Sequence, residues 1–229
     1  MRAEEGMAVR VATYNIFGAR HPGPLATVVR ALAPDVIVAN ETPKLPLVWR
    51  CTCDRIAASW AMRRAAGGRD AGSNMICVSD RIQVLSTRAI RLQQPLFRPR
   101  RGIVSAQCAL GGVEFGVVGV HLSLLSDWRL RGAEQAIAVA AELRGPVVLG
   151  GDLNERAGGS SWSAFRDAGF EDAARPGDMT FSSTSPGKRI DALLTRGGVV
   201  EHVGTPALSA AQLRAASDHL PVVGTLLLS

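Results

Sequence analysis

The sequence predicts an α/β fold, a layered domain of mixed strands and helices, and three observations carry that reading. Short apolar, β-branched runs recur along the whole chain, helical spacing interrupts them at a few places, and no repeat or low-complexity linker divides them. At 229 residues the chain suits one large domain, and folding at that size buries roughly 70–75% of the unfolded surface without staples. An apolar share of 47% with 20% charged residues is that of a globular protein and excludes a disordered chain.

Taken in order, residues 9–16 alternate and are β-branched, which predicts a strand. Apolar positions at helical spacing follow over 24–32 and stop at Pro34, and residues 35–39 form a short apolar strand opening on Asn40-Glu41. This is a β-α-β unit with polar groups at both strand ends. Residues 43–71 combine a Pro-rich connection with a weakly helical or irregular stretch that closes on Gly67, Gly68 and Gly72. Strands are predicted over 74–79, 82–92 and 103–110, the last two joined by the basic turn Arg98-Pro99-Arg100-Arg101-Gly102. Gly111-Gly112 signals a hairpin, and a strand over 113–120 delivers His121. A helix over 128–143 stops at Gly145-Pro146, and a strand over 147–149 runs into Gly150-Gly151-Asp152-Leu153-Asn154. A short helix over 163–168 and closing strands over 189–195, 198–203 and 222–228 complete the pattern. The expected organisation is a tail over residues 1–8 and one domain over 9–229, with two β-rich halves that divide near Gly111-Gly112.

The net charge of +6 and a pI of about 9.9 favour anionic partners such as nucleic acid, phosphorylated metabolites or lipid headgroups. Lys44 and Lys188 are the only lysines, so 24 of the 26 basic residues are arginines, whose fork matches phosphate oxygens bidentately. A GC-rich coding sequence produces the same bias without any function. Cys77 and Cys108 sit in apolar, strand-like runs, and Cys51-x-Cys53 has neither zinc-knuckle nor thioredoxin spacing, so a reduced compartment is expected. The acidic start has no signal-type apolar core and no apolar run is long enough to cross a bilayer. A cytoplasmic, soluble monomer is the expectation.

Polar residues cluster in one kind of place. Asn15, Glu41, His121, Asp152, Asn154, Asp191 and His219 each stand at or just beyond an apolar strand, where a layered protein displays reactive groups on a rigid base. Extended geometry sets Asp152 and Asn154 on one face with Leu153 turned inward, although an Asx-turn has the same spacing. Asp191 lies inside an apolar strand, where a carboxylate needs a partner, and a histidine is the natural one. Asp218-His219 suits a metal ligand, a general acid or base, or a plain turn.

Six segments then occur in a telling order: Thr13-Tyr14-Asn15-Ile16, Ala39-Asn40-Glu41-Thr42, Gly119-Val120-His121-Leu122, Gly151-Asp152-Leu153-Asn154, Ile190-Asp191 and Ser217-Asp218-His219. The series resembles the motifs of the endonuclease/exonuclease/phosphatase superfamily, the DNase I-like fold, over nearly the whole chain. The resemblance implies a four-layer sandwich of two packed mixed β-sheets with outer helices and a cleft at one edge. It implies Glu41 as the principal Mg²⁺ (or Mn²⁺) carboxylate, with Asn15 and Asp218 near the same ion. Asp152 would activate water, Asn154 would hold the scissile phosphate, and His219 paired with Asp191 would contact it, with His121 as second histidine. Such an oxygen-donor set is what Mg²⁺ prefers. Arg101-Gly102 resembles an Arg-Gly frequent in the family, and Asn74 precedes a strand at the expected cleft; both are candidate substrate-binding residues. Three departures narrow the branch. Asn40 replaces a common Gln, Phe17 stands where some repair members have a carboxylate, and Tyr14 is the only tyrosine. His121-Leu122 resembles the phosphatase, sphingomyelinase and general phosphodiesterase branches rather than abasic-site nucleases.

The expected activity is therefore metal-dependent hydrolysis of a phosphate ester by a nuclease-like phosphodiesterase, nucleic acid being one candidate substrate. A small-molecule or lipid-headgroup phosphatase or phosphodiesterase of the same fold is the alternative. A non-catalytic nucleic-acid-binding module would lack a metal or histidine position, and none is missing. A zinc hydrolase would need several histidines or cysteines converging on one ion.

Overall fold

The computed structural model describes residues 7–175, 177–202 and 208–228. The first six residues of the expected N-terminal tail and Val203 lie outside the described residues; Met7 and Ala8 already belong to the first strand.

Two six-stranded sheets face each other. The first runs β11 (Val199–His202), β12 (Val222–Leu228), β1 (Met7–Asn15), β2 (Val36–Asn40), β4 (Asn74–Val78) and β3 (Arg63–Gly68). The second runs β5 (Gln83–Leu92), β6 (Arg101–Leu110), β7 (Val113–His121), β8 (Val147–Asp152), β10 (Asp191–Arg196) and β9 (Glu171–Asp172). Both are mixed: β1 pairs with β2 and β7 with β8 in parallel, and the other ladders are antiparallel. Val9, Val11, Val38 and Ile76 of the first sheet meet Val104, Val117, Val148 and Leu193 of the second in one buried cluster. Helices α1 (Pro22–Leu32), α2 (Trp49–Ser59) and α5 (Ala210–Ala216) cover the outer face of the first sheet, while α3 (Ser126–Ala141) and α4 (Ser160–Asp167) cover that of the second. The product is four layers, helix–sheet–sheet–helix.

This covering explains why the central strands read as continuous apolar runs. β2, β4 and β8 are buried at every position, because each lies between the opposite sheet and a helix. α1 starts on Pro22 and Pro24, where a helix has no N–H partner to lose, and buries Leu25, Val28, Val29 and Leu32 at helical spacing.

The division at Gly111-Gly112 is corrected. That turn joins β6 to β7 within the second sheet, whereas the chain changes sheets between β4 and β5 and returns to the first for β11 and β12. A hairpin turn looks the same wherever it falls, so it carries no information about sheet membership. The irregular stretch resolves into α2 and β3. β3 has the composition Arg-Arg-Ala-Ala-Gly-Gly, with no β-branched residue, and is held as an edge strand by β4 across a register shift between Arg64 and Ala66. Gly68 is required there, since a side chain would occupy the ring of Trp49. α5 and β9 were also not expected from the pattern.

Candidate active site

Register brings the polar strand ends together. In the second sheet His121 stands opposite Asp152, and Asp152 opposite Asp191, on three successive strands. In the first sheet Asn15 stands opposite Asn40. The two rungs meet at one edge of the sandwich. Gly151 permits this, because a Cβ there would overlap the carbonyl oxygen of Val120 on β7.

Asp152 Oδ2 is the focus of the edge. It lies 3.1 Å from Asn15 Nδ2, 3.3 Å from His121 Nε2 and 3.8 Å from His219 Nε2. Its other oxygen accepts the Asn154 backbone N–H at 2.9 Å. The Asx-turn forms: it throws Asn154 into positive φ and lets its amide donate to Leu122 O at 3.0 Å beside the cleft. His219 Nδ1 is 2.9 Å from Asp191 Oδ2, and the Phe181 ring packs on the imidazole at 4.8 Å between centroids. Ser217 Oγ donates to Asn15 O at 2.6 Å and accepts the His219 N–H at 3.3 Å, tying β1 to the last loop.

Asn40 joins the two sheets beneath these groups. Its Oδ1 accepts the Asp152 N–H at 3.0 Å, and its Nδ2 donates to Val120 O and to Asn74 Oδ1. Asn74 in turn donates to Gly102 O at 2.7 Å. Asn74 is fully buried and props the strand that carries Arg101; it is not among the residues that line the cleft.

The cleft encloses about 410 Å³ and is lined by Glu41, Arg101, His121, Asp152, Asn154 and His219, together with Leu124, Glu155, Arg156, Phe181, Lys188 and Ile190. Arg101 is buried against it rather than solvated on a turn. Sequence reasoning missed Phe181, Arg156 and Lys188, which lie in connections without strand or motif signal. Asp218 is half-buried, touches Ser217 Oγ at 3.4 Å and does not line the cleft.

Burial sets the protonation states. It raises the Asp152 carboxyl well above the usual carboxylate range, and the negative charge of Asp191 adds to the effect. Burial opposes charge on His219 as well, but the hydrogen bond and charge of Asp191, with Asp152 and Asp218 behind it, win and raise its pKa to about 9. His121 is pushed far down, first by burial and then by the positive charge of Arg101. The site thus holds one imidazolium and one neutral imidazole on either side of Asp152.

The sequence profile described as the Endonuclease/Exonuclease/phosphatase family matches residues 12–219. The chain belongs to that family. Its solved members are similar in fold across the full length. A Bacteroides vulgatus endonuclease/exonuclease/phosphatase superposes with a TM-score of 0.79 at 18% identity, covering 97% of this chain and 100% of that one. A mannosyl-6-phosphatase of Bacteroides thetaiotaomicron gives 0.75 at 19% identity, over 96% and 99%. Humanized D. rerio TDP2 gives 0.70 at 17% identity, over 96% and 98%. No curated protein sequence matches the chain. As a member of this family the chain is a phosphoesterase hydrolase of DNase I-like fold, and its family is generally divalent-metal dependent. The ligating atoms of Asp152, Asp191 and His219 lie within 4.8 Å of one another, a grouping different from the Asn15, Glu41 and Asp218 set expected from the motifs.

Proposed function

We propose that this family member hydrolyses a phosphodiester, with Asp152 as the base that takes a proton from the attacking water. The observation that supports it is the placement of Asp152 Oδ2 at the floor of the cleft, buried and within 3.8 Å of both imidazoles. A carboxyl whose proton affinity is raised by burial is poised for that transfer near neutral pH. His219, kept protonated by Asp191, presents Nε2–H to a phosphate oxygen as a charge-assisted donor. His121 is neutral and stands beside Asp152 as a phosphate ligand, while the departing oxygen takes its proton from the His219 imidazolium, which the proton held on Asp152 then restores. Asn154 holds the phosphate through its remaining amide hydrogen, and Arg101 faces the same space.

The donors fit a hard divalent cation. Glu41 brings a carboxylate to the cleft wall, Asn15 Oδ1 keeps a free lone pair beyond its bond from Phe17 N–H, and the buried Asp191 Oδ1 has no hydrogen-bond partner among the described residues. Glu41, with Asn15 and Asp218 nearby, would hold Mg²⁺ or Mn²⁺. When bound, the ion supplies Lewis-acid stabilisation of phosphate charge and acidifies coordinated water.

Nucleic acid is one anionic substrate class that suits Arg101, Arg156 and Lys188 on the cleft wall, and a lipid headgroup is another. The likeness to a mannosyl-6-phosphatase supports phosphomonoesters as the alternative reading. The test is turnover of supercoiled plasmid, single-stranded DNA, RNA, bis-p-nitrophenyl phosphate and a phosphomonoester panel, with Mg²⁺ or Mn²⁺ against EDTA. Metal-dependent diester cleavage that disappears in both Asp152→Asn and His219→Ala supports the proposal. Turnover of monoesters alone, or an Asp152→Asn variant at wild-type rate, overturns it.

A further inference from the structure

Eleven large apolar side chains are exposed among the described residues, and seven of them lie on three loops: Leu45, Leu47 and Val48; Leu96 and Phe97; Leu124 and Leu125. Strand direction places all three loops at the catalytic edge. The first leaves β2 just after Glu41, the second enters β6 at Arg101, and the third leaves β7 just after His121. The second and third close on each other, with Arg98 and Pro99 against Leu124 and Leu125, and Leu124 also lines the cleft. Leu47 and Phe97 are the extreme cases, 98% and 104% exposed, and both hold positive φ. A bulky side chain in that conformation is strained, and full exposure gives it nothing to pack on. Scattered exposed leucines are ordinary; seven gathered around one cleft mark an interaction surface.

The charge on the same loops selects the partner. Lys44, Arg98 and Arg100 are exposed beside the apolar tips, residues 42–48, 93–100 and 122–125 contain no acidic residue, and no described residue pairs with those three cations. Apolar tips flanked by unpaired cations match the chemistry of an anionic lipid surface, with side chains entering the acyl boundary and basic groups meeting headgroups. A nucleic-acid groove asks instead for a series of aromatic platforms, and Phe97 is the one aromatic among these seven exposed tips, the rest being aliphatic.

We infer that the rim of the cleft docks on an anionic membrane and presents the phosphate ester of a lipid headgroup to the site. This rests on the phosphoesterase reading for its chemistry, but docking is measurable without it. Flotation is run in EDTA with vesicles of phosphatidylcholine alone and of equal parts phosphatidylcholine and phosphatidylglycerol. Wild type, L47S, F97S and the double variant are compared, and each is also assayed on bis-p-nitrophenyl phosphate with metal. The expected result is binding to the anionic vesicles only, about tenfold weaker for each single variant, with hydrolysis of the soluble diester unchanged. Wild type that does not float overturns the inference, and so does flotation that high salt abolishes and the serines leave intact. Retention of an oligonucleotide that falls in the variants, without vesicle binding, assigns the rim to nucleic acid. A wild-type dimer in sedimentation that the double variant dissolves assigns it to a second copy. If the soluble diester is not turned over while flotation behaves as expected, docking stands and the hydrolytic reading fails.

Discussion

Asp152 and Asp191 face each other on one rung of neighbouring strands, both almost fully buried, with His219 as the imidazolium between them. Two carboxylates in so dry a place repel, so the arrangement favours reactivity at a cost in stability. Asp152→Asn should therefore lower kcat/KM on the best diester by on the order of 10³ or more while the melting temperature holds or rises. A matching loss of stability would mark Asp152 as structural. Asn40 makes the opposite case. Asn40→Ala orphans the Asp152 N–H, Val120 O and Asn74 Oδ1 at once, each buried group costing about 1–3 kcal/mol, so denaturant unfolding should show a large loss. Most of the residues proposed for chemistry were legible in the sequence, since a polar residue that ends an apolar strand has few structural reasons to be there. Phe181 was not legible, because a ring that packs at a tilt against His219 from a connecting segment leaves no periodic trace. Asn74 was read as facing substrate and lies underneath instead, a difference that only the direction of its two hydrogen bonds reveals.

At the scale of elements, the β7–β8 ladder sets the distance between His121 and Asp152, and Gly151 sets the ladder. Gly151→Ala should cost about 1–3 kcal/mol from overpacking and abolish most activity, since the added carbon pushes Val120 away from the strand that carries Asp152. Melting and kinetics of the one variant check both. The connection after β8 is secured differently. Glu155 accepts from Ser161 and pairs with Arg129 at 3.2 Å, which anchors α4 to α3 beside the cleft. Burial opposes its charge, but the Ser161 and Arg129 hydrogen bonds prevail and hold its carboxyl below the usual range. A depressed folded-state pKa gives stability that is present above the unfolded value of about 4.3 and is lost as pH falls through the folded one. The stability gap between wild type and Glu155→Gln should thus be widest near neutrality and shrink in acid; a gap that is constant with pH would contradict the pairing. The elements missed from sequence fail for definite reasons. β3 is held by its neighbour rather than by propensity, and β9 has only two residues. α5 did leave a signal: Ser209 and Gln212 form a capping box, a spacing readable as Ser-Ala-Ala-Gln.

Over the whole molecule, the partition into sheets was the part of the fold least visible beforehand, because apolar patterning marks strands as buried without saying against which partner. The proposed metal site is testable on the intact protein without any turnover. Mg²⁺ at about a hundred times its dissociation constant should stabilise wild type by about 2.7 kcal/mol and leave Glu41→Ala unmoved. Equal stabilisation of both would remove Glu41 from the site. β1 lies between β2 and β12, so it pairs on one side with a strand made soon after it and on the other with one about two hundred residues later. During synthesis one edge of β1 stays open until residue 228 has left the ribosome, and His219 and Asn15 cannot meet before then. A chain stopped before Ser217 would carry a bare apolar strand edge and lack His219, a substrate for chaperones rather than a weak enzyme.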